Sequence, residues 1–146
     1  MELTSTRLSQ DQVLLYSGAL IGVVALAALR VFDPATSGVF PPCPLHALTG
    51  LYCPGCGSLR AFHQLLHGNL YAAFAMNPLA ILTLPFVMYG AASYATFQVR
   101  GRYLPRTSLP GHWIWAVGIV IVLYGIARNV PVYPFNLLAP GGLLQP

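Results

Sequence analysis

Residues 43–60 read CPLHALTGLYCPGCGSLR, and this stretch holds all three cysteines of the chain together with His46, one of its four histidines. Its prolines and glycines force tight backbone turns, because proline fixes φ near −65° and glycine accepts positive φ. Two half-motifs face each other across a six-residue spacer, Cys43-Pro44-Leu45-His46 and Cys53-Pro54-Gly55-Cys56. Donors at i and i+3, followed by a second such pair, are the spacing with which knuckle-type sites hold a tetrahedral zinc ion. The candidate ligands are therefore Cys43, His46, Cys53 and Cys56. The same Cys53-Pro-Gly-Cys56 also reads as a redox pair, in which an exposed thiolate of lowered pKa attacks a disulfide. Two of the cysteines joined in a structural disulfide, or all three packed inertly among the glycines, are further readings of the same residues.

Outward from this corner the chain turns apolar. Of 146 residues, 56% are hydrophobic and 7% charged, against about 25% charged in a soluble domain. That balance predicts an integral membrane protein. Seven arginines and no lysine stand against Glu2, Asp11 and Asp33. The arginines are scattered singly, without aromatics interleaved, which argues against a nucleic-acid partner. They read instead as determinants of membrane topology.

Residues 1–12 form a polar lead, and residues 13–32 an apolar run long enough for a first transmembrane helix. Arg7 ahead of this run and Ala25-Leu26-Ala27 within it imitate a cleavable signal, but Glu2 and Asp11 dilute the basic flank and the run continues past the cut. The reading is an uncleaved span. Residues 33–77 contain the cysteine turn and then one amphipathic helix from an N-cap at Ser58 to about Met76. Leu59, Phe62, Leu65, Leu66, Ala73 and Phe74 share one face of it; Arg60, Gln64, His67 and Tyr71 share the other. With His63 and Asn69 also present it is too polar to cross hydrocarbon, so it lies at the interface or re-enters, with a bend or break at Gly68-Asn69. Arg60 and His67 are candidate contacts for an anionic headgroup.

Asn77-Pro78 is a cap followed by proline at the first helical position and opens a second span over residues 78–99, kinked at Pro85. Gly90, Ala91, Ala92, Ser93 and Ala95 offer it a small-residue surface for another helix. Trp113 and Trp115 anchor a third span over residues 112–128. Residues 129–146 are proline-rich and predicted to be extended. The expected fold is all-α, with three transmembrane helices plus the interfacial helix. Arg7, Arg100, Arg102 and Arg106 place the N-terminus in the cytoplasm and the cysteine segment outside. An oxidising exterior favours a disulfide and a cytosolic placement favours metal.

Cys43-Pro44, Thr49-Gly50, CPGCG at residues 53–57, Arg60-Ala61, Gly68, Asn77-Pro78 and Arg128-Asn129 together resemble a bacterial membrane-protein family, domain of unknown function 2752, over about residues 43–136. The resemblance implies a helical inner-membrane protein without an established activity, with Cys43, Cys53, Cys56, Gly57 and Arg60 as signature positions. Similar proteins carry a threonine before the arginine, where this chain has Leu59. His46 is not a signature position, so the four-ligand zinc site rests on spacing in this chain alone.

The leading expectation is a structural or accessory membrane subunit whose cysteine knuckle is pinned by metal or disulfide. It would meet the lipid bilayer and, by self-association or otherwise, other membrane proteins. Arg60 would bond carbonyls of the knuckle or bind a lipid phosphate; a cation in the first turn of a helix opposes the helix dipole, and nearby thiolates would offset that cost. The alternative is a membrane thiol–disulfide oxidoreductase in which Cys53 attacks, Cys56 resolves and Cys43 relays. A transporter finds little support, because the spans carry almost no ionisable residues near their centres.

Overall fold

The computed structural model describes residues 10–105 and 110–144, so Glu2, Arg7 and Arg106 lie outside the described residues. Six α-helices follow in order: α1 Gln10–Val31, α2 Pro44–Thr49, α3 Ser58–Leu66, α4 Leu70–Met76, α5 Pro78–Arg100 and α6 His112–Ala127. Two 3-10 turns, Phe135–Leu138 and Gly142–Leu144, come after them, and no strand occurs among the described residues.

Among the described residues two helices are long and apolar enough to cross a membrane: α1, with its apolar stretch from Gln12 to Val31, and α5. The helix α5 runs through Pro85 without interruption. The expected third span is shorter than predicted. With 16 residues, α6 is about 24 Å long at 1.5 Å per residue, below the roughly 30 Å of a hydrocarbon core. It stops where Arg128 turns back into the protein.

Side chains on these three helices are mostly bare, as at Ile21 (69% exposed), Phe86 (77%) and Trp115 (78%). The core sits between them and is small: Leu29, Cys56, Ala61, Ala73 and Ala75, beside the buried polar residues Asn77, Ser93 and Arg128. The short helices α3 and α4 pack on each other, with α1 against α3 and α5 against α1, α3 and α4. Gly90 meets nothing within 4 Å, so the small-residue surface predicted on α5 has no close partner at that position within the chain. Ser93 is used differently: it is buried and its hydroxyl accepts from the Leu104 amide at 3.2 Å.

Three local expectations change, and the break expected at Gly68-Asn69 is present. The cysteine segment contains a helix, α2, framed by Pro44 at its start and left-handed Gly50 at its end; at six residues it is too short for a hydrophobic period to announce it. The interfacial helix is two helices, α3 and α4, broken at Gly68-Asn69, where the Asn69 amide returns to the Gln64 carbonyl at 2.9 Å. Its cap is Gly57 rather than Ser58, whose hydroxyl is drawn away to the Asn77 amide. The tail is not extended either. It folds onto α4, with the Gly141 amide on the Ala75 carbonyl at 3.2 Å and the Tyr71 hydroxyl on the Leu143 carbonyl at 3.2 Å.

Candidate functional site

The two half-motifs meet. Cys43 is the N-cap residue of α2, Cys53 and Cys56 flank a turn closed by the Cys56 amide on the Cys53 carbonyl at 3.1 Å, and the reverse bond runs from the Cys53 amide to Cys56 Sγ at 3.2 Å. The Cys43 and Cys53 sulfurs are 3.5 Å apart and the Cys53 and Cys56 sulfurs 3.2 Å. All three lie within 4.8 Å of one another. These are free thiols, well beyond the covalent S–S length of about 2.05 Å. A tetrahedral zinc with sulfur at about 2.3 Å has sulfur–sulfur edges of about 3.8 Å, so this donor set fits such an ion with small adjustments.

What holds the turn in place comes from far along the chain. Arg128 is 2% exposed and donates to four carbonyls: from Nε to Leu138 at 2.9 Å, from one terminal nitrogen to Cys53 at 3.1 Å and Pro54 at 3.2 Å, and from the other to Met76 at 3.3 Å. Its guanidinium carbon also lies 5.1 Å from the centroid of the Tyr124 ring. A buried guanidinium without a carboxylate requires such a set of acceptors, since each unsatisfied N–H would cost desolvation energy.

Asn77 is fully buried and does two jobs. Its oxygen accepts from the Ala80 amide at 3.1 Å, which is the cap predicted for α5, and from the Tyr124 hydroxyl at 3.1 Å. Its amide nitrogen reaches the Pro54 carbonyl at 3.0 Å, the Cys56 carbonyl at 3.2 Å and the Ser58 hydroxyl at 2.9 Å. Asn129 pairs with both backbone groups of Tyr52, accepting from its amide at 2.8 Å and donating to its carbonyl at 2.9 Å. Backbone shape completes the fit. Gly57 has φ of 82°, and a Cβ there would come within 2.7 Å of the Met76 carbonyl oxygen; one on Gly125 would come within 2.9 Å of the Pro54 ring.

The sulfurs differ in electrostatics. The backbone amide of His46 and then the Cys53 and Cys56 thiols hydrogen-bond Cys43 and bring its thiol down from 9.0 to about 7. Burial, and then hydrogen bonding to Cys53 and Cys43, pushes Cys56 up to about 12. One sulfur is poised to ionise near neutrality while another holds its proton well above it.

A cleft of about 560 Å³ opens onto the thiols, lined in part by Cys43, His46, Cys53, Cys56, Arg60 and Phe40. His46 is in its wall but not in the sulfur group: Nδ1 donates to the Gly50 carbonyl at 3.1 Å, and the ring stacks on Tyr52 at 4.6 Å and 16°. Arg60 is exposed on the same cleft. The carbonyls it was expected to bond are held by Arg128 instead. His67 meets Arg30 rather than Arg60, with a guanidinium N–H of Arg30 donating to Nε2. His67 Nδ1 in turn donates to the His63 carbonyl at 2.8 Å, and His63 Nδ1 to the Leu29 carbonyl at 2.7 Å, so these histidines tie α3 to the end of α1.

The clamp of Arg128, Asn129 and the amide of Asn77 is the part that residue-type reasoning missed. Residue type alone gave no signal for it, because an arginine at the end of an apolar helix also reads as an ordinary topology determinant.

Fold and site together define an all-helical protein with two helices long and apolar enough for a bilayer and a three-thiol corner between them. A family model described as a protein of unknown function (DUF2752) matches residues 43–91, a stretch that includes all three thiols, Arg60 and Asn77, and the chain resembles that family there. No curated protein and no solved structure matches the chain.

Proposed function

We propose that this is a bacterial inner-membrane protein, a structural or accessory subunit, whose corner binds one thiophilic metal ion, zinc by preference, through Cys43, Cys53 and Cys56. The observation that carries the reading is the convergence of three sulfurs within 4.8 Å on a backbone that is already fixed. Zinc favours thiolate donors, and a site whose donors are prearranged loses little conformational entropy on binding. The metal would join α2 to the start of α3. Arg128 supports it from behind by holding the Cys53 and Pro54 carbonyls.

In this reading α6 is the third span, with Trp113 and Trp115 at one boundary, and the polar lead with Arg7 stays in the cytoplasm along with Arg100, Arg102 and Arg106. The cysteine corner then faces outward, where coordination protects its thiolates from oxidation. The Arg30–His67 pair meets anionic headgroups at the interface. The test is elemental analysis with thiol counting on the purified protein. One zinc per chain, absent in Cys53→Ser, is expected; a metal-free protein whose thiols all titrate freely would end the proposal. A membrane-impermeant maleimide applied to intact cells, after chelation, should reach Cys43 if the corner faces outward.

The lowered pKa of Cys43, 3.5 Å from Cys53, favours a second reading. Cys43, rather than Cys53, would attack a partner disulfide; Cys53 would then displace the partner's thiolate, leaving Cys43 and Cys53 oxidised and the partner reduced by two electrons. Alkylation trapping separates the two readings, because only this one cycles between thiol and disulfide.

A further inference from the structure

Closed structural zinc sites take all four donors from the protein, whereas sites that act on ligands keep one position open. The candidate fourth donor, His46, does not join the sulfur group; its ring is held against Tyr52, with Nδ1 on the Gly50 carbonyl. No other His, Cys, Asp or Glu joins the three sulfurs among the described residues. The thiols instead face a cleft of about 560 Å³, large enough for a small molecule. Arg60 lines that cleft and is exposed. It has no hydrogen bond or ion pair to any described residue, and no acidic side chain lines the cleft with it. A lone guanidinium beside an incomplete thiolate site is suited to a carboxylate, which it can bind in a fork.

We propose that the fourth coordination position takes a small exogenous thiol that also bears a carboxylate, with its sulfur on the metal and its carboxylate on Arg60. Binding exchanges a bound water for the thiolate. The thiol proton leaves to bulk water, and no electrons move. This deepens the metal reading and rests on it, turning a closed knuckle into a ligand-accepting centre.

The experiment uses the full-length protein in detergent, loaded with cobalt(II) as a spectroscopically visible stand-in for zinc and titrated with mercaptosuccinate and, separately, with uncharged 2-mercaptoethanol. A rise in sulfur-to-cobalt charge-transfer absorption on adding either thiol is expected, with mercaptosuccinate the tighter. Arg60→Gln should take up cobalt normally and bind mercaptosuccinate about tenfold more weakly, the loss of one charge-assisted contact, with 2-mercaptoethanol unaffected. His46→Gln should leave the cobalt spectrum unchanged.

Cobalt that binds but ignores added thiols, or a spectrum altered by His46→Gln, overturns this inference and leaves the metal reading standing. Failure of wild-type protein to take up cobalt overturns both. A cysteine-containing acidic peptide serves as a third arm. If it binds more tightly than mercaptosuccinate, the ligand is a cysteine of a partner chain and the small-molecule assignment fails.

Discussion

The long helices and the cysteine corner of this protein are built on opposite principles. Along α1 and the middle of α5 most apolar side chains are bare, as at Leu20 (65%) and Val87 (65%), and the chain itself gives those surfaces little to pack against. At the corner the side chains are small or polar and almost everything is satisfied: Ala61, Ala73 and Asn77 have no exposed surface, and Arg128 reaches four carbonyls. The long helices receive little packing from the rest of the chain, and the corner is held by complementary hydrogen bonds. Substitutions should therefore act very differently in the two places.

The largest expected effect is at Arg128. Arg128→Met removes a buried charge-bearing donor shared by four carbonyls, of which those of Leu138 and Met76 are left with no other side-chain donor, and should cost about 3 kcal/mol, read as a fall in the thermal midpoint of detergent-solubilised protein. Arg128→Lys should recover only part of this, because an ammonium cannot reproduce the planar fork. Next is Asn77→Ala, which removes the cap of α5 and three contacts to the cysteine turn and should cost about 2–4 kcal/mol by the same measurement. Gly57→Ala adds a Cβ at positive φ against the Met76 carbonyl and should cost about 1–3 kcal/mol. Leu20→Ala, on the open side of α1, should cost no more than about 0.5 kcal/mol. A cost at Leu20 equal to that at Asn77 would show that α1 packs tightly against something, and would break the contrast.

A different measurement sharpens the corner itself. In metal-free protein Cys43 should alkylate first, its rate rising as pH passes through about 7, where its thiol ionises. Cys56, held up at about 12, should be the slowest of the three across the neutral range. Metal must displace these protons, so affinity should fall as pH drops below the Cys43 value and more of the donors are protonated. Mass mapping of labelled peptides against pH tests the order; Cys56 labelling ahead of Cys43 would refute it.

The sequence made the rods and the existence of the corner legible, because both depend on residue type. Apolar length marked α1 and α5, and Asn77-Pro78 marked the start of α5 to the residue. Cysteine spacing brought Cys43, Cys53 and Cys56 together. It did not decide His46, since i+3 spacing on a short helix leaves the ring free to rotate onto Tyr52. The clamp was illegible for a different reason. Arg128 and Asn129 act on Cys53, Pro54 and Tyr52 across more than seventy positions, and nothing in local periodicity reports a contact of that range. Arg60 was given the carbonyl-binding task because it is near in sequence, whereas the residue near in space was another arginine.

The grip of Arg128 also sets an order of events as the chain is made. The two halves of the sulfur site leave the ribosome early, but the guanidinium that steadies them and the Leu138 carbonyl that completes its set of acceptors emerge only after α5 and α6. A half-made chain has the three cysteines without the brace, so the sulfur corner should become fixed only once the later helices have folded against it, rather than as its own residues are made.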